Sequence, residues 1–168
     1  MERLFVIDLK DYDEDWQRSK RPSVRAIIKC GDKLAMVYDQ KYDYYGFPGG
    51  GIEAGETFHQ ALIREVKEEV GLTVIPETIE EFGSALRRGR SHRFERTIFE
   101  QENFYYTAEL ADDRANVLHL DEYEERLGFS LRWVTAKEAW KTNHSITAPT
   151  EQRWVERDTS VLKLLAKE

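Results

Sequence analysis

The sequence predicts a mixed α/β or α+β domain, on three observations. Short runs rich in β-branched and aliphatic residues recur along the chain, the segment from Thr57 to Val70 switches to helical period, and two capping boxes mark helix starts. The 168 residues suit a single domain spanning 1–168, and a 40% apolar content with 20 Trp, Tyr and Phe residues is enough to fill its core.

In chain order, Leu4 to Leu9 reads as a short N-terminal strand, and positions 11–22, crowded with charge and ending in Arg21-Pro22, as a connector. Apolar runs at 23–29 and 34–38 flank Gly31-Asp32 and predict a hairpin. Cys30 follows the run Val24-Arg25-Ala26-Ile27-Ile28, where a small buried thiol on a strand is expected, and a lone cysteine excludes an intrachain disulfide. A loop with Pro48, Gly49, Gly50 and Gly51 comes next. The helix that follows is capped by Thr57-Phe58-His59-Gln60 and ends at Gly71. Runs at 80–87, 96–110 and 129–134 read as strands, and Thr135-Ala136-Lys137-Glu138 opens a second helix. The tail from Thr150, with Trp154, Val155, Val161, Leu162 and Leu165, predicts a closing amphipathic C-terminal helix.

Charge narrows the function classes. Lys and Arg total 25 against 32 Asp and Glu, a net −7, which disfavours broad binding to nucleic acid or to anionic lipid. The start Met1-Glu2-Arg3-Leu4-Phe5 lacks an apolar leader and no 18 apolar residues run together, so the expectation is a soluble cytoplasmic protein with no membrane partner.

The chemistry concentrates on the first helix. At 100° per residue, Glu65, Glu68 and Glu69 fall within about 100° of arc, beside the apolar arc of Leu62, Ile63, Val66 and Val70. Like charges at this spacing cost roughly 0.2–0.5 kcal/mol per pair in an isolated helix, and a cation reverses the sign. Clustered carboxylate oxygens suit a hard divalent ion, Mg²⁺ or Mn²⁺, completed by substrate phosphates. The competing reading is a solvated acidic helix face.

The spacing ahead of the helix decides between them. Gly50-Gly51-Ile52-Glu53-Ala54-Gly55-Glu56, seven residues, and then Arg64-Glu65-Val66-Lys67-Glu68-Glu69-Val70-Gly71-Leu72 agree at every specified position with the box G-x5-E-x7-R-E-U-x-E-E-x-G-U, where U is a bulky aliphatic. At ordinary residue frequencies a chance match is on the order of 10⁻⁷ or less. On this box the chain resembles the Nudix hydrolases. The resemblance implies an α/β/α sandwich around a mixed β-sheet and hydrolysis of a nucleoside diphosphate linked to another moiety. It also implies Mg²⁺ or Mn²⁺ as cofactor and a small nucleotide-type substrate rather than bulk nucleic acid. Members are often homodimers.

The resemblance also implies roles. Glu65, Glu68 and Glu69 match the metal-binding carboxylates, one of which can double as the general base. Arg64 matches the residue that orients the cluster through an ion pair with Glu56. The carbonyl of Gly49 corresponds to a further metal ligand. A late-loop carboxylate, Glu124 or Glu125, is a candidate to complete the site. The proline beyond the box that marks ADP-ribose hydrolases is missing from Ala85-Leu86-Arg87-Arg88-Gly89, and so is the tyrosine of diadenosine-polyphosphate hydrolases. Substrate identity therefore stays open.

Arg25, Tyr45 and Phe47 are candidate substrate contacts, as phosphate ligand and stacking rings. Arg87, Arg88, Arg90, Arg93, Arg96 and His92 form a basic patch that reads as a phosphate clamp or as a solvated hairpin tip. The alternative function is a non-catalytic nucleotide sensor on the same fold, against which stand the four retained glutamates, Glu56, Glu65, Glu68 and Glu69. Isomerisation of isopentenyl diphosphate, a third reading, calls for a catalytic cysteine and a degenerate box, whereas here the box is intact.

Overall fold

In a computed structural model describing residues 1–112, 128–146 and 154–167, the strands are β1 (Arg3–Asp8), β2 (Gln17–Lys20), β3 (Ser23–Cys30), β4 (Lys33–Asp39), β5 (Tyr44–Gly46), β6 (Glu80–Arg90), β7 (Thr97–Ala108) and β8 (Ser130–Thr135). The helices are α1 (Phe58–Val70), α2 (Ala136–His144) and α3 (Val155–Leu165). The strands hydrogen-bond in the order β1-β6-β7-β3-β4-β5, with β2 added to β7 and β8 to β4. The pairs β1–β6, β2–β7 and β3–β7 are parallel and the others antiparallel, so the sheet is mixed.

Strand β3 organises the layers because its alternate residues face opposite ways. Val24, Ala26 and Ile28 pack against Leu62, Val66 and Val70 of α1. Ile27 joins Tyr105, Leu34 and Met36 beneath Ala139 of α2 and Val161 and Leu162 of α3. Helices thus cover both faces, giving the expected α/β/α sandwich. The α1 residues Leu62, Val66 and Val70 are fully buried, at roughly 1.5–3 kcal/mol each relative to exposure. Helix α1 begins where its sequence says, with Thr57 and Gln60 exchanging side-chain and backbone hydrogen bonds, and it ends at Gly71 in the left-handed conformation (φ 68°). The second box, Thr135 with Glu138, opens α2 in the same way.

Three expectations need correction. The segment 11–22 is not merely a connector, because Gln17–Lys20 forms β2, added in parallel to β7 from Gln17↔Thr97 to Lys20↔Glu100. Its residues, Gln-Arg-Ser-Lys, carry no apolar alternation because three of the four are exposed on the sheet margin. Cys30 is exposed rather than buried, since β3 leaves the core after Ile28 and its last two residues only turn the hairpin into β4. Strand β6 continues to Arg90 rather than ending at 87, paired with β7 as far as Arg90↔Ile98. Among the described residues no helix is long and apolar enough to cross a membrane.

Candidate active site

The glycine loop is laid against β3 by backbone bonds. Val24 donates its N–H to the Gly50 carbonyl (3.0 Å) and Ala26 to the Pro48 carbonyl (2.8 Å). Gly49, at φ 139°, leaves no room for a side chain, because a Cβ there would lie 2.1 Å from the Val24 carbonyl oxygen. This approach lets the Gly49 N–H donate to Glu69 Oε2 at 2.7 Å, tying loop to helix. A Cβ on Gly50 would fall 2.5–2.6 Å from the Glu65 carboxylate, so the second glycine clears space for that group.

Arg64 gathers the remaining carboxylates. Its Nε and Nη2 bond both oxygens of Glu56 (2.7 and 3.0 Å), while Nη1 reaches Glu65 (2.9 Å) and Glu68 (3.1 Å). Nη2 also donates to the Gly51 carbonyl at 3.1 Å. The bond from Arg64 holds the Glu56 carboxyl down at about 2, and the guanidinium is itself stabilised in its charged form, chiefly by Glu56. Burial raises the Glu65 carboxyl, an effect that Arg64 offsets only in part. Glu69 is 6% exposed, whereas the Glu68 side chain is 40% exposed.

The donor chemistry fits a hard cation, since every group offered is a carboxylate or carbonyl oxygen. Among the described residues, however, no three acidic, His or Cys side chains close up into a metal-binding group. The reason is visible in the bonds: Arg64 holds Glu65 and Glu68, the Gly49 amide holds Glu69, and Arg25 Nη1 donates to the Gly49 carbonyl. Glu124 and Glu125 lie outside the described residues.

A cavity of about 580 Å³ opens over this loop. Its walls include Arg25, Phe47, Gly49, Glu65 and Glu69. Arg25 also has a long contact to the Phe47 carbonyl (3.4 Å), and its Nε is buried without a hydrogen-bond partner. Phe47 is buried and meets Tyr105 edge-on at 5.6 Å. Tyr45 is not in the wall: its ring packs against Tyr38 at 5.0 Å and its backbone pairs with the Asn143 amide. Strand alternation puts Tyr44 there instead.

Residues of α3 that the sequence reading passed over form part of the wall. Arg157 (2% exposed) bonds Asp158 (1% exposed) at 2.8 Å and Asn103 at 2.7 Å. Asn103 Oδ1 also accepts from the Ser23 hydroxyl (2.6 Å), and Asp158 accepts from the Tyr105 and Tyr44 hydroxyls. Burial pushes both tyrosine hydroxyls up, and at each the Asp158 carboxylate adds to the rise. The signal was present in the helical wheel, where Asp158 falls inside the arc of Val155, Val161, Leu162 and Leu165.

Strand alternation separates Arg87 from Arg88 in the basic patch. Arg87, Arg90, His92 and Arg93 line the cavity, whereas Arg88 faces the other way toward Asp8 (3.8 Å) and Glu100 (3.7 Å).

Fold and site together describe a helix-borne carboxylate cluster under a glycine loop, within a three-layer sandwich, and comparison with known proteins places them in one family. The NUDIX domain model matches residues 19–157, and the chain belongs to that family. Members of the family generally use divalent metals. The RNA pyrophosphohydrolase of Photobacterium profundum is 44% identical over 55 residues, 32% of this chain and 31% of that protein. The Edwardsiella ictaluri protein of the same name is 44% identical over 54 residues, 31% and 30% respectively. The match thus spans about a third of those relatives. A NUDIX hydrolase from Nitrosomonas europaea shares the fold with a TM-score of 0.57 at 20% identity, over 85% of this chain and 90% of its own. A mutator MutT protein from Bacillus halodurans does so with a TM-score of 0.58 at 20% identity, over 84% and 82%.

Proposed function

We propose that this chain is a divalent-metal-dependent diphosphohydrolase that cleaves a nucleoside diphosphate linked to another moiety, with water as nucleophile. The observation that carries the reading is the Arg64 fork, which assembles Glu56, Glu65 and Glu68 next to a cavity whose wall contains Glu65 and Glu69. Glu65, Glu68, Glu69 and the Gly49 carbonyl are the groups that would hold Mg²⁺ or Mn²⁺. A bound ion of this kind supplies charge neutralisation at the diphosphate and acidifies water. Arg64, fixed by Glu56, keeps the glutamates oriented. Arg25 in the cavity wall offers a guanidinium to phosphate oxygens. One of the three helix glutamates takes the proton from the attacking water. Phe47 and Tyr44 set aromatic surface in the cavity wall beside these charges.

The reading is of a small nucleotide-type substrate in the cytoplasm, in keeping with the net charge of −7. The partial match to RNA pyrophosphohydrolases favours a second reading, a 5′-phosphorylated RNA end, and puts a 5′-triphosphorylated oligonucleotide in the test panel.

The test measures phosphate or monophosphate release from nucleoside triphosphates, oxidised nucleotides, nucleotide sugars, dinucleotides and that oligonucleotide, with Mg²⁺ or Mn²⁺, for wild type and Glu68→Gln. The expected result is metal-requiring turnover of one class that vanishes in the folded variant. No turnover across the panel by folded wild type that still binds nucleotide would make the chain a sensor and overturn the proposal.

A further inference from the structure

Strand β5 is three residues long and stands last in the described strand order, paired with β4. Along an antiparallel pair, successive residues turn their backbone groups alternately toward the partner strand and away from it. Tyr45, opposite Tyr38 in that register, turns its groups away, and what meets them is a side chain. Asn143 Oδ1 accepts the Tyr45 N–H at 2.8 Å, and Asn143 Nδ2 donates to the Tyr45 carbonyl at 2.8 Å. One amide thus answers both the donor and the acceptor of a strand residue, as a neighbouring strand would.

The clasp hangs from a firm support. Helix α2 starts directly from β8 at the Thr135 and Glu138 box, and β8 pairs with β4 from Lys33↔Thr135 to Tyr38↔Ser130. Because β4 also carries β5, the bonds from Asn143 to Tyr45 close a ring of β4, β8, α2 and β5. Asn143 is 2% exposed and lies one turn beyond Ala139 on the buried face of α2. Ala139 shares a core cluster with Phe47, so this helix face holds both β5 and the start of the loop. Asparagine is a weak helix former, and an aliphatic residue would pack better at a core-facing position. What asparagine offers there is the pair of bonds to Tyr45.

The residues that follow Tyr45 build the active-site loop, with little slack between. Gly46 is buried, and a Cβ on it would lie 3.2 Å from the Tyr44 ring and 3.4 Å from Asp158 Oδ2. Phe47 is fixed in the core and Pro48 has a ring-locked φ. Next comes Gly49, whose N–H donates to Glu69 at 2.7 Å. A displacement of β5 at Tyr45 is therefore passed along the chain to Gly49.

We propose that Asn143 is a positioning residue for the active site: its amide takes the place of a neighbouring strand at Tyr45 and so sets where Gly49 meets Glu69. The effect on turnover rests on the diphosphohydrolase reading, whereas the effect on the loop does not.

Hydrogen exchange of the full chain, followed residue by residue by NMR, tests the clasp in wild type. The Tyr45 amide is expected to be strongly protected; exchange at the rate of a free peptide would overturn the proposal with no variant needed. Asn143→Leu is close in size, favours helix and removes both bonds. It is expected to speed Tyr45 exchange and move the Gly49 amide resonance, while the Val66 and Val70 amides of α1 stay as they are. On the substrate that the panel selects, kcat falls about tenfold or more with KM little changed. Asn143→Asp keeps the acceptor for the Tyr45 N–H but loses the donor, so it falls between the two, and it carries the comparison if the leucine variant does not fold. A folded variant whose Gly49 resonance and kcat match wild type would make the clasp a contact of the fold alone and overturn the proposal. Should wild type turn over nothing in the panel, the Gly49 resonance decides for Asn143, and it is the hydrolase reading that falls.

Discussion

Replacing Gly50 by alanine separates site geometry from fold stability. The new Cβ would sit 2.5–2.6 Å from the oxygens and carbon of the Glu65 carboxylate, against the 3.4 Å at which ordinary contact begins. The carboxylate must therefore retreat by about 1 Å, away from its 2.9 Å bond to Arg64. What moves is the far end of a flexible side chain, so the cost to folding is that of one strained rotamer, about 0.5–1.5 kcal/mol. The cost to function is larger, because a misplacement of about 1 Å in a catalytic constellation lowers rate by about 10²-fold, equivalent to about 2.7 kcal/mol in the barrier. The assay is kcat/KM for the metal-dependent release of phosphate, paired with a thermal melt on the same sample. Gly49→Ala is the contrast. There the obstacle is the backbone carbonyl of Val24 at 2.1 Å and the φ is 139°, so backbone strain of about 1–3 kcal/mol adds to the loss of loop-to-β3 hydrogen bonds at about 0.5–1.5 kcal/mol each. Gly50→Ala is expected to melt near wild type with crippled turnover, and Gly49→Ala to lose both. Full activity in Gly50→Ala, or a melting loss as large as that of Gly49→Ala, would refute the assignment of the second glycine to carboxylate clearance.

Asp158→Ala strips the charged partner from a buried guanidinium, leaving it the Asn103 bond, and leaves two tyrosine hydroxyls without that acceptor, so urea unfolding should show a loss of about 3–5 kcal/mol; a loss below 1 kcal/mol would contradict the buried network. Thr57→Ala removes the α1 capping box and is expected to cost about 1 kcal/mol, a drop of about 2–4 °C in Tm. The carboxyl of Glu56 lies at about 2 in the folded protein against an ordinary 4.5, so its contribution to stability is complete above pH 4.5 and fades as the pH falls from there toward 2. Urea titrations of wild type and Glu56→Gln from pH 7 to 2.5 should accordingly converge at the acid end, and a gap that stays constant with pH would exclude an ionic origin.

Local signals made much of the molecule legible in advance. The boundaries of α1 and α2 could be read because Thr57 with Gln60, Thr135 with Glu138, and Gly71 act within a few residues of chain, where the next turn needs no knowledge of the rest. The motif from Gly50 to Leu72 was readable for the same reason, its groups lying on one loop and one helix. Strand β2 was not, because Gln17–Lys20 is a strand only by virtue of its pairing with β7, some eighty residues away. The choice of Tyr44 over Tyr45 for the cavity wall, and the division of the basic patch between Arg87 and Arg88, depended on which face of each strand looks inward, which register decides.

By itself, then, the sequence determined the family motif, the alternation of strands and helices, and the helix that carries Glu65, Glu68 and Glu69, all through contacts of short range along the chain. Only the tertiary structure decided that Arg25 meets the Gly49 carbonyl, that Arg157 and Asp158 are buried behind the cavity with Tyr44, Tyr105 and Asn103, and that the arginines of the β6–β7 turn share a wall with the carboxylates. Those juxtapositions join residues up to 114 positions apart, and the free energy that makes them comes from sheet pairing and core burial over the whole domain, which no local window contains.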